Sequence, residues 1–234
     1  MSEARDKFFE ILSPAINRSG FVFKKSKMNF VLQEGEIISN IDFNWDGRGG
    51  LTYLNHILGA IYISYINKTF KILLNYKHPY PMFTTFGKGQ HFDDRIPQMY
   101  SPELLNLANN MAFKNMAALT FEEKYPMDNI RKSVNSALKI ITGEIIPELS
   151  TKKLEQQLLD FRINKLTEKL NLIETHNIMW EVLIVKIMCK KMKLIEPKFV
   201  TDIQIFTNKS IDDLWNMQDY DFENMEAKFN QLVF

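Results

Sequence analysis

The sequence predicts an α+β fold: an N-terminal helix on a curved antiparallel sheet of about five strands, followed by a helical C-terminal part. Three observations carry that reading. Apolar residues recur at three- and four-residue spacing over residues 2–19. The pattern then switches to period two as far as about residue 76. After residue 102 helical spacing returns, with no alternating segment as clear as the earlier ones.

In the first helix the periodic positions are Phe8, Phe9, Leu12, Ala15 and Ile16, with Gly20 placed as a C-cap glycine and Pro14 inside it, where the helix should either kink or begin a new turn. Phe21 and Phe23, then Met28, Phe30 and Leu32, then Ile37, Ser39, Ile41 and Phe43 mark strands of a meander. Turns are expected at residues 24–27, 34–36 and 46–50, the last two supplied with glycine. Residues 51–66 are apolar on both alternating sets, as in a strand covered on both faces, with Gly59 as a bend or bulge. Phe70, Ile72, Leu74 and Tyr76 read as one further strand. Residues 77–102 hold four of the eight prolines and read as a long loop rich in aromatics.

Beyond it, Leu104, Leu107, Ala108, Met111 and Ala118 suggest one helix. Ile130, Val134, Ala137, Leu138, Ile141 and Ile145 suggest another, with Asp128 as N-cap and Pro147 as stop. Leu154, Leu158, Phe161, Leu166, Leu170 and Ile173 outline a third. A fourth, from Ile178 to Met192, has so wide an apolar arc, with Trp180, Leu183, Ile184 and Ile187, that it should be central to a helical core. Ser210 and Asp213 have the spacing of a capping-box variant, and Phe222, Met225, Phe229 and Leu232 form a last amphipathic stripe. The expected organisation is an α+β domain over residues 1–150 with a helical extension over residues 151–234 packed on it.

The 234 residues carry 29 Lys plus Arg against 28 Asp plus Glu, a formal charge of +1. Such a balance lacks the basic excess of a dedicated nucleic-acid binder, so no nucleic-acid partner is expected. A single cysteine, Cys189, excludes an internal disulfide, and a cytoplasmic location is expected. Charges run through residues 1–10, unlike a signal peptide, and residues 51–66 are too few to span a bilayer. No membrane partner is expected on those grounds. With 23 Lys to 6 Arg, 25 Ile and 20 Asn against 9 Ala, the composition suggests a low-GC bacterial genome.

No residue set announces a reaction. His91-Phe92-Asp93-Asp94-Arg95 is the one place where a histidine, two carboxylates and a guanidinium fall within five residues, yet the spacing matches no catalytic frame. His56 reads as a residue in or beside a strand that satisfies a local hydrogen bond, and His78 and His176 are isolated. Gly87-Lys88-Gly89 lacks the phosphate-loop frame, and the glycines of residues 46–50 lack the dinucleotide pattern. Cys189, on an apolar stripe, reads as a core thiol. Lys186, Lys190, Lys191, Lys193 and Lys198 form a basic cluster that suits a solvated helix end. Residues 210–227 carry six acids and no base around Trp215 and Tyr220, a pattern that can steer a basic partner. No cofactor or metal is expected.

The run Phe8-Phe9-Glu10-Ile11-Leu12, then Gly20-Phe21, Asn29-Phe30 and Ile37-Ile38-Ser39-Asn40-Ile41-Asp42-Phe43 resembles a family of small bacterial domains of unknown function. There a helix ending in Gly-Phe leads into an antiparallel sheet, and a later helix resembles residues 128–149 here. The resemblance implies a non-enzymatic protein, and some members look like immunity proteins of toxin systems. It transfers no functional residue. The expected function is therefore protein binding by occlusion, with a basic or toxin-like partner. The expected contacts are Tyr80, Phe83, Phe86, His91, Asp93, Asp94 and Arg95 in the loop, and Asp212, Asp213 and Trp215 near the C-terminal end. The alternative is a small-ligand binder or enzyme with a pocket between the sheet and the 77–102 loop.

Overall fold

The computed structural model describes residues 3–48, 51–86, 119–122, 127–171, 178–201 and 222–234. The chain divides into two compact units, one of residues 1–61 and 83–152, the other of residues 62–82 and 153–234. It is α+β, with an N-terminal helix, an antiparallel sheet and several later helices.

In the first unit, α1 (Glu3–Asn17) buries Phe8, Phe9, Leu12 and Ile16, the expected stripe. Pro14 lies inside the helix. Gly20, at φ +85°, follows the helix in the left-handed region that a Cβ disfavours. Then come β1 (Val22–Lys24), β2 (Asn29–Glu34), β3 (Ile37–Arg48) and β4 (Leu51–Ile63). Glu34 pairs with Ile37 across a two-residue hairpin whose first central residue, Gly35, has φ +62°. β5 (Phe83–Phe86) and β6 (Leu119–Glu122) both pair with β4, at Leu58–Ile61 and Leu51–Leu54. The order is β1-β2-β3-β4-β5 with β6 beside β4.

Between α1 and the sheet lies an aromatic cluster. Phe9 stacks on Phe23 at 4.8 Å and meets Phe43 edge-on at 4.9 Å, while Phe8 meets Trp45 edge-on at 5.4 Å. α3 (Met127–Ile140), a π-helical turn (Ile141–Ile145) and α4 (Ile146–Ser150) continue as one rod, and α1 packs against α3.

In the second unit are α2 (Ser64–Leu74), α5 (Glu155–Asn171), α6 (Ile178–Met192), the short α7 (Lys198–Thr201) and α8 (Phe222–Gln231). α6 is central as expected, with Val182, Leu183, Ile184, Val185, Ile187, Met188 and Cys189 all buried.

Several expectations are corrected. Phe70, Ile72 and Leu74 lie in helix α2. Its buried set is Tyr65, Ile66, Thr69, Phe70, Leu73 and Leu74, which is helical spacing, and Ile72 is 53% exposed. Asn75, at φ +49°, ends that helix with its N–H bonded to the Phe70 carbonyl. The 77–102 segment contains a strand, β5, and β6 appears in the part of the chain expected to be predominantly helical. Gly59 forms no bulge, since Leu58–Ile61 pair one to one with β5. A Cβ there would lie 2.6 Å from Ile145 and 2.9 Å from Thr85, so glycine answers a close helix approach. Asp128 falls inside the first turn of α3 rather than capping it. Pro147 does not stop the helix. It sits in the first turn of α4, just after the π turn, at a position where a helix tolerates proline. The expected helix over residues 104–118 and the capping box at Ser210 lie outside the described residues.

Candidate functional site

A cleft of about 290 Å³ opens between α1 and the β1–β2 hairpin of the first unit. The 3.6-residue turn brings Asp6, Glu10 and Ser13 to one face of α1, and Phe9 lies beside them. Phe23 of β1, with Lys25 and Met28 of the following turn, forms the other wall. The stacked Phe9 and Phe23 rings supply its apolar surface. Glu10 is bridged by Lys7 at 3.0 Å, and Ser13 donates to the Phe9 carbonyl. Asp6 and Lys25 carry opposite charge on opposite walls, and among the described residues neither has an ion-pair partner. Met28 enters β2 with φ +54°, a strained conformation for a residue with a Cβ.

Next to this cleft, buried Asn29 donates its amide to Asp42 at 2.7 Å across the β2–β3 ladder. Burial raises the Asp42 pKa above the usual carboxylate value, and the Asn29 hydrogen bond and the Lys27 charge partly oppose that.

The second unit holds a buried ion pair. Arg162 of α5 donates from Nη1 to both carboxylate oxygens of Glu181 on α6, each at 2.7 Å, and from Nη2 to the Pro81 carbonyl. Lys165 approaches the same carboxylate at 3.7 Å. Tyr80 lies parallel on Trp180 at 5.5 Å, with the Arg162 guanidinium 5.5 Å from its ring centroid, and its N–H is held by Asn67 at 2.8 Å. Burial, then the Glu181 charge, pushes the Tyr80 phenol up, against Arg162. Every group named here is engaged in joining α2, α5, α6 and residues 80–81.

Of the residues expected to make contacts, Tyr80 is in this stack, half-buried. Phe83 is buried in β5, with Lys152 5.7 Å from its ring centroid, and Phe86 pairs with Leu58 in the same strand. The structure does not bring Tyr80 and Phe83 into one compact unit. His91, Asp93, Asp94, Arg95, Asp212, Asp213 and Trp215 lie outside the described residues. Cys189 is buried, and burial, then the Glu196 charge, raises its thiol pKa. Lys186 bridges Glu196 at 2.6 Å, and Lys190 donates to the carbonyls of Phe229 and Asn230 at the end of α8. Among the described residues, no three His, Cys, Asp or Glu side chains group to hold a metal, and no helix is long and apolar enough to cross a membrane.

The sequence reading missed the cleft and the ion pair. Asp6 and Glu10 have the spacing of helix neighbours, and Arg162 and Glu181 interrupt otherwise apolar stripes, which are the available signals. No protein-family model, curated protein or solved structure matches this chain.

Proposed function

We propose that the chain is a non-enzymatic protein-binding module of bacterial cytoplasm, immunity-like in acting by occlusion of its partner. The observation that supports this reading is the cleft between α1 and the β1–β2 hairpin. Its volume, about 290 Å³, is at or below the low end of the roughly 300–1,000 Å³ typical of small-molecule pockets. Its apolar surface and its unpaired Asp6 and Lys25 suit one or two side chains of a partner, an aliphatic stem with a charged head. Asp6, the unpaired acid of the cleft, suits a basic group of the partner, the same class that the acidic stretch around Asp212, Asp213 and Trp215 suits. The ion pair and stack in the second unit serve its internal packing, which leaves the cleft as the site on which this reading rests.

The test is a photo-crosslinking amino acid at Met28 in the cleft, compared with one at exposed Leu154 of the second unit, in lysate of the source cell. The proposal expects one basic protein crosslinked at Met28 and absent at Leu154. The same products from both positions, or none from Met28, would overturn it.

A further inference from the structure

The second unit carries an exposed corner between α6 and α7 that its internal packing does not use. Ile195 is 96% exposed and its neighbour Leu194 is 42% exposed. Two adjacent aliphatic side chains are thus presented to solvent at one corner.

The corner is held in place from several directions. Lys193 ends α6 with φ +55°, and the Leu194 N–H reaches back to the Cys189 carbonyl at 2.9 Å. On the other side of Ile195, Glu196 is tied to Lys186 at 2.6 Å, and the Pro197 carbonyl accepts the N–H groups of Val200 and Thr201. Ile195 is therefore presented by a fixed backbone.

Among the described residues, the exposed charges at the two ends of the corner are basic. Lys193 and Lys198 are exposed at the two ends of the corner. Lys191, one turn before Leu194, stands 5.6 Å from the Tyr65 ring centroid and 6.0 Å from that of Phe234, which is itself 41% exposed. Lys190 adds a charge while holding the end of α8. The one acid within residues 190–198, Glu196, is neutralised by Lys186.

We infer that this corner docks on an anionic membrane surface, with Ile195 and Leu194 entering the headgroup and acyl boundary and Lys191, Lys193 and Lys198 lying over lipid phosphates. Composition decides between this and an acidic protein. Protein interfaces are depleted in lysine and draw their strong contacts from Trp, Tyr and Arg, with Leu and Val under-represented. Aliphatic tips within a collar of lysines are what interfacial lipid binding uses. Surface docking needs no spanning helix, so the expectation of no membrane partner, argued from span length, does not bear on it.

The test is sedimentation of the full chain with vesicles of phosphatidylcholine alone and with about 30 mol% phosphatidylserine, at low and high salt. The chain should pellet with the anionic vesicles, stay in solution with the neutral ones, and be released by salt. Leu194→Ser with Ile195→Ser should weaken partitioning at least about tenfold, and Lys193→Glu with Lys198→Glu should abolish it. All four positions are exposed, so the variants should melt like the parent. No pelleting with anionic vesicles, equal pelleting with neutral ones, or undiminished pelleting of the serine variant would each overturn the inference. So would binding of soluble polyglutamate at this corner in place of vesicles, which would identify an acidic protein as occupant.

Discussion

The two units are stabilised in different ways. The first packs α1 on its sheet through phenylalanines and Trp45, contacts that depend on area and tolerate some rearrangement. The second places a charged pair, Arg162 and Glu181, in its interior and closes it with a carbonyl and a tyrosine ring. A charge removed from water depends on its partner, so the second unit should be the more sensitive to loss of one atom group, and the first to changes of volume.

The largest expected effect sharpens that contrast. Glu181→Ala leaves a buried guanidinium without its carboxylate and should cost about 3–5 kcal/mol in chemical denaturation. Arg162→Met combined with Glu181→Leu should recover most of the loss, because no uncompensated charge remains. Phe9→Ala in the first unit should cost a comparable ~3–5 kcal/mol, but as a cavity that no distant second substitution restores. If the double apolar variant proved as unstable as Glu181→Ala, the charge argument would fail.

Next in size is Gly59→Val, which forces side-chain atoms against Ile145, Thr85 and Leu149 and should cost about 1–3 kcal/mol by overpacking. A neutral result would show that α4 can retreat from the sheet. A smaller effect concerns pH. The folded-state pKa of Asp42 lies above its ordinary 3.8, so the folded chain keeps a proton that the unfolded chain has released. Stability contributed by this group therefore falls as pH rises from about 3.8 through the folded value. Asp42→Asn should flatten that slope in denaturation midpoints measured across the acid range. The smallest effect is at Glu10, whose exposed bridge to Lys7 should be worth less than about 1 kcal/mol, so Glu10→Gln should leave the melting temperature nearly unchanged.

The contrast also bears on what was legible in the sequence. α1 and β3 follow from spacing because each buries one face, with Ile37, Ser39 and Ile41 buried in β3, and periodicity records burial. α6 was legible for a different reason: its apolar residues run most of the way round the helix, and Val182 to Val185 and Ile187 to Cys189 are buried. α2 was not, because Phe70, Ile72, Leu74 and Tyr76 alternate by accident while Tyr65, Ile66, Thr69 and Leu73 complete the helical stripe. β5 and β6 are four residues each, too short for a period to show, and are held by pairing with β4, a distant segment. Pro147 misled because the π turn before it is a tertiary solution that no local preference announces. The cleft was invisible for a similar reason. Asp6 and Lys25 are ordinary surface residues in sequence, and only the packing of β1 and its following turn against α1 makes them opposite walls.

The claim that the first unit binds a partner through this cleft is tested most directly by exchanging its charges. Asp6→Lys with Lys25→Glu keeps the net charge and alters two exposed positions. Titration calorimetry with the partner identified by crosslinking should then show affinity at least about tenfold weaker than for the parent, with an unchanged melting temperature. Equal affinity for the parent and the exchanged variant would contradict the account.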